Sequence, residues 1–93
     1  MVTAILLIKT ERGRVVEVAE ALSDIVGITE VYSVAGRYDL VAIIRVRNAE
    51  DMANLVTQEV VKVQGIRKTE TLTAFRAYSR HDLEAAFSLG LAE

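Results

Sequence analysis

The chain predicts an α+β sandwich: one antiparallel sheet with two helices packed on one of its faces. Three observations predict it. Residues 2–9 are nearly all apolar. Two later stretches space their apolar residues three or four apart, as a helix with one buried stripe requires. Each stretch is followed by a glycine and an isoleucine, Gly27-Ile28 and Gly65-Ile66, so the chain reads as two echoing halves.

Taken in order, residues 2–9 suit a central strand buried on both faces. Gly13 opens a helical period in which Val15, Val18, Ala19, Leu22, Ile25 and Val26 share a stripe, while Glu17, Glu20 and Asp24 lie elsewhere. Gly27 stands where a left-handed residue stops a helix. Residues 28–35 are rich in β-branched side chains and read as a strand. Ala35-Gly36-Arg37 is a tight turn and 38–47 a second strand, together a hairpin. Tyr38, Leu40, Ala42, Ile44 and Val46 fall on one face of that strand, and Asp39, Val41, Ile43, Arg45 and Arg47 on the other. Asn48 suits an N-cap, with Glu50 and Asp51 at the positive end of the helix it begins. Met52, Leu55, Val56, Val60 and Val63 make its stripe, and Gly65 ends it. Residues 66–78 form the last strand. Ser79 caps a short C-terminal helix with Leu83, Ala86 and Phe87 on one side. The order β-α-β-β-α-β is ferredoxin-like, with residues 1–78 as the domain and 79–93 as a helical tail.

Composition narrows the chemistry. Apolar residues are 52% of the 93 and aromatics 5%, so the core is aliphatic. There is no cysteine, which excludes disulfides and thiolate chemistry. No run of about 18 uncharged apolar residues occurs, as a membrane span requires, and the start lacks the basic region of a signal peptide. The expected location is the cytoplasm. The net charge is −2 with both signs interspersed, so the basic patch of a nucleic-acid binder is missing. Val41 and Ile43 put apolar groups where a solvated sheet face would be polar. That predicts a two-fold dimer packed sheet to sheet.

Two phrases carry candidate binding residues. Gly36-Arg37-Tyr38-Asp39 reads first as a hairpin turn in which glycine supplies positive φ. It also reads as a cradle: successive backbone N–H groups can hold a carboxylate, Asp39 can pair with an ammonium, and Tyr38 can wall the pocket. Thr69, Thr71 and Thr73 share one strand face, either through plain β propensity or as a polar stripe for a small ligand. His81 has no partner spaced for metal ligation or base catalysis. No phosphate loop, nucleophile elbow or metal motif is present, so no catalytic residue, metal or cofactor is predicted.

Together, Gly36-Arg37-Tyr38-Asp39 and Gly65-Ile66-Arg67-Lys68-Thr69-Glu70-Thr71-Leu72 resemble the effector-binding (RAM) module of the Lrp/AsnC family of amino-acid-responsive regulators. The resemblance runs from about Val2 to Tyr78, in element order as well as motif. It implies a non-enzymatic sensor of a free amino acid. It also implies dimers formed through the sheets, assembled into closed rings that are commonly octamers, with the effector between neighbouring dimers. By position, Gly36, Tyr38 and Asp39 of one subunit would meet a ligand also touched by Thr69 and Thr71. Arg37, in the same loop, either favours an acidic side chain or faces solvent. Full-length members carry an N-terminal helix-turn-helix, whereas this chain begins at its first strand. The resemblance therefore implies a stand-alone RAM protein without DNA binding of its own, co-assembling with a full-length relative. Two rival readings remain: a small enzyme of the dimeric α/β-barrel type, against which the single histidine and lack of tryptophan argue, and a purely structural assembly module.

Overall fold

Strands and helices follow one another in the predicted order in a computed structural model that describes residues 1–78. They are β1 (Val2–Thr10), α1 (Val15–Ser23), β2 (Ile28–Ser33), β3 (Leu40–Val46), α2 (Ala49–Asn54) and β4 (Ile66–Ala74). The predicted tail helix, with Ser79, Leu83, Ala86 and Phe87, lies outside the described residues, as does His81. The sheet order is β2-β3-β1-β4, with every neighbouring pair antiparallel. This is the ferredoxin-like arrangement.

Alternation along the two central strands decides which face holds the core. Ala4, Leu6 and Ile8 of β1 and Leu40, Ala42 and Ile44 of β3 are wholly buried, with Val18 and Leu22 of α1. Met52, Leu55 and Val60 close the same cluster from the second helical segment. Each large aliphatic side chain so buried contributes roughly 1.5–3 kcal/mol. On the other face Ile5, Leu7, Val41 and Ile43 are only half-buried, and Leu72 is 44% exposed. The expectation that β1 is buried on both faces is therefore corrected for the single chain: helices cover one face, and the apolar centre of the other is open.

The second helix keeps its predicted cap: Asn48 Oδ1 accepts the Asp51 amide at 2.8 Å. It is not uniform, however. After Asn54 the chain makes a π turn over Leu55–Glu59, with the Val60 amide bonded to the Leu55 carbonyl, and then a 3-10 turn over Val60–Lys62. In a regular α-helix, residues five apart diverge around the axis. The wider turn brings Val60 back to the side of Leu55, so both enter the core.

Other boundaries shift inward. α1 ends at Ser23, and Val26, assigned to its stripe, is 95% exposed in the turn that follows. Gly27 lies in that turn instead of capping the helix. Its φ is +105°, and a Cβ there would come within 2.6 Å of Leu55 Cδ1 and 3.0 Å of Val46 Cγ1. Glycine is needed because the α1–β2 turn presses against the second helical segment. β4 ends at Ala74, before the predicted residue 78, and Phe75 beyond it is 98% exposed.

Candidate functional site

The β2–β3 connection is longer than the predicted three-residue turn. Residues 34–39 all lie outside the strands, and the Val34 amide donates to the Asp39 carbonyl at 3.0 Å to close the loop. Tyr38 and Asp39 are thus loop residues, not the start of β3. Gly36 has φ +136°, a conformation L side chains rarely adopt. Among the described residues, the amides of Ala35, Gly36, Arg37 and Tyr38 donate to no other group. Four adjacent uncommitted donors form the kind of concavity that holds an anion.

Asp39 is held from three sides. Its amide donates to the Ile8 carbonyl at 2.9 Å. Its Oδ2 accepts the Thr10 amide at 2.9 Å and the Thr10 hydroxyl at 3.2 Å. Lys9 Nζ stands 3.9 Å from Oδ1. The Thr10 amide is the main reason the carboxyl titrates below its ordinary 3.8; the Thr10 hydroxyl, Lys9 and Arg67 act in the same direction, against partial burial. The carboxylate expected to meet a ligand ammonium therefore also ties the loop to the end of β1.

Antiparallel register sorts the residues of β4. Directly paired residues share a face. Thr69 pairs with Ile8, Thr71 with Leu6 and Thr73 with Ala4, so the threonines stand on the helix face. Lys68 pairs with Lys9 and Glu70 with Leu7, so these stand on the open face. There the Tyr38 hydroxyl donates to a Glu70 carboxylate oxygen. That bond is the first cause of the raised Tyr38 phenol pKa, with desolvation and the Glu70 charge adding to it. Lys9, Arg37, Tyr38, Lys68 and Glu70 line a cleft of about 580 Å³.

Within one chain, then, Gly36, Arg37, Tyr38 and Asp39 gather at one corner, while Thr69 and Thr71 face the other side of the sheet. Glu70, Lys9 and Lys68 join the corner without having been singled out in the sequence. The signal was the alternation Thr69-Glu70-Thr71 itself: only one of the two residue types can face the loop, and register decides which. The corner offers backbone donors for a carboxylate, a carboxylate for an ammonium, and an aromatic wall. Among the described residues no helix is long and apolar enough to cross a membrane.

A sequence model described as the Lrp/AsnC ligand binding domain matches residues 3–83. The HTH-type transcriptional regulator FL11 of Pyrococcus furiosus is 34% identical over 77 residues, which are 83% of this chain and 50% of that protein. The chain spans half or less of the length of such curated relatives. The crystal structure of TTHA0845 from Thermus thermophilus superposes with a TM-score of 0.80 at 45% identity, covering 86% of this chain and all of that one. A Neisseria meningitidis transcriptional regulator, solved as an L-Met complex, superposes with a TM-score of 0.75 over 85% of this chain and 53% of its own; at 9% identity the likeness is one of fold.

Proposed function

This chain belongs to the Lrp/AsnC ligand-binding domain family, and from that premise we propose that it senses a free amino acid at the hairpin corner and works as an oligomeric regulatory module. The observation that carries the reading is the row of four uncommitted amides around Gly36, set beside the Tyr38–Glu70 pair. The amides receive the α-carboxylate. Glu70, with the free side of Asp39, receives the ammonium, and the Tyr38 ring walls the pocket. The L-Met complex of the Neisseria protein supports an amino acid as the ligand class.

Oligomerisation enters through the sheet. Ile5, Leu7, Val41, Ile43 and Leu72 form the apolar centre of the open face, and Lys9, Arg45, Glu30 and Glu70 surround it. A second copy packed face to face buries that centre, as in aligned sheet packing. Thr69 and Thr71, on the opposite side of the sheet, reach the ligand only from a neighbouring dimer in a larger ring. The net charge of −2 supplies no phosphate-binding surface. Any effect on transcription passes through helix-turn-helix modules associated with this domain, of the kind its relatives carry by name.

A thermal-shift screen of the full chain against the twenty amino acids tests the reading. A ligand that binds only the native state raises stability by RT ln(1 + [L]/Kd). At least one amino acid raises the melting temperature, and Gly36→Val abolishes that rise. Twenty flat responses overturn the proposal.

A further inference from the structure

The charges around the cleft are unequal. Its walls carry three cations, Lys9, Arg37 and Lys68, and one carboxylate, Glu70, which already accepts the Tyr38 hydroxyl. Lys9 and Lys68 are directly opposite each other in the β1–β4 register. Directly opposed strand residues have Cβ atoms about 4.5–5.5 Å apart, and like charges in that position repel. Lys9 has Asp39 at 3.9 Å as partial relief. Among the described residues, Lys68 and Arg37 pair with no carboxylate. The Tyr38 ring is the only apolar surface in the wall.

We infer that the ligand of this corner is an acidic amino acid whose side-chain carboxylate bridges Lys9 and Lys68; this rests on the reading of the corner as an amino-acid site. The loop amides and Glu70 satisfy the two charges that every amino acid carries. A neutral zwitterion leaves the lysine pair facing itself. An aliphatic side chain placed there desolvates two ammonium groups and gives them nothing in return. A second carboxylate removes the repulsion and makes charge-assisted bonds to both. Arg37, at the lip of the loop, strengthens the same preference.

Calorimetry on the full chain at neutral pH, with L-glutamate, L-aspartate, L-glutamine, L-leucine and glutarate, tests this. The expected result is that glutamate or aspartate binds at least about tenfold more tightly than glutamine or leucine, the usual worth of a charged hydrogen bond. Lys68→Gln lowers affinity for the acidic amino acid by about tenfold to a hundredfold. It leaves glutamine binding unchanged, and Lys68→Arg restores the preference. Glutarate, with two carboxylates and no ammonium, binds more weakly than glutamate; equal binding overturns the assignment to an amino acid. If leucine or glutamine binds as tightly as glutamate, and Gly36→Val abolishes it, the amino-acid site stands and the acidic assignment falls. If none of the amino acids binds, both fall.

Discussion

Thr10 gives both its amide hydrogen and its hydroxyl hydrogen to one oxygen of Asp39, across 29 residues of chain. Thr10 is the one buried polar side chain among the described residues, at 4% exposure. It stands where β1 leaves its regular register with β4, between Lys9 and Thr10. The amide that the irregularity releases is taken up by a side chain from the loop, so the candidate site and the strand end are fastened together.

This fastening makes stability acid-sensitive. The folded Asp39 carboxyl releases its proton more readily than its ordinary 3.8, with the Thr10 amide as the main cause. A depressed folded value contributes stability that is fully present above the unfolded value and is lost as pH falls through the folded one. Asp39→Asn keeps an acceptor for Thr10 but no charge. It therefore lowers the unfolding midpoint at pH 7, and the gap to the parent protein narrows below pH 3.8. Thermal melts at pH 7 and pH 3 check this; a gap unchanged with pH means that the charge is not what holds the loop.

The open sheet face predicts an assembly phenotype. The protein sediments as a dimer or larger at micromolar concentration, and Ile43→Asp shifts the mass towards the monomer. The monomer tolerates the change because Ile43 is only half-buried within one chain, whereas a face-to-face dimer would bury an unpaired charge. Analytical ultracentrifugation with circular dichroism separates loss of association from loss of fold. A folded variant of unchanged mass places the interface elsewhere.

Gly27→Ala destabilises without touching the candidate ligand corner. The added methyl must displace Leu55 Cδ1, 2.6 Å away, and adopt φ +105°. Overpacking of this kind costs about 1–3 kcal/mol, to which the backbone strain adds. Urea denaturation reads the loss, and ligand affinity measured well below the midpoint stays as in the parent.

Asn48→Ala removes the side chain that accepts the Asp51 amide. N-cap losses of this type cost about 1 kcal/mol. The midpoint falls by that amount, and Asn48→Asp recovers most of it, since an acidic cap favours the positive helix end.

The order of elements was legible because each is written in local spacing: period-two burial in residues 40–46, three-and-four spacing in 15–22, an Asn at the start of the second helix. What was not legible needed partners distant in sequence. Val26 has the spacing of a stripe residue, but the helix ends at Ser23 and the turn carries Val26 outward. Leu55 and Val60 both look like core positions, yet nothing local says that a wider turn reconciles them. Gly36 and Tyr38 were visible as a turn with an aromatic. The companions of Tyr38 were not, because the choice between Glu70 and its threonine neighbours depends on the pairing of β4 with β1, and a slip of one residue would reverse it. Asp39 was visible as a carboxylate, but its main partner, Thr10, lies on another strand.

The π turn at Leu55–Glu59 bears on ancestry as well as packing. A turn closed over five residues is what a helix makes when it absorbs one extra amino acid without unfolding. Deleting a single residue between Val56 and Glu59 would restore an unbroken α-helix, but it would swing everything beyond it by about 100° around the axis. Val60 would leave the core, and the approach to Gly65 and β4 would be aimed wrongly. Relatives with a regular helix here should therefore align with a one-residue gap in this segment, and their core residue should stand four positions after the equivalent of Leu55 instead of five.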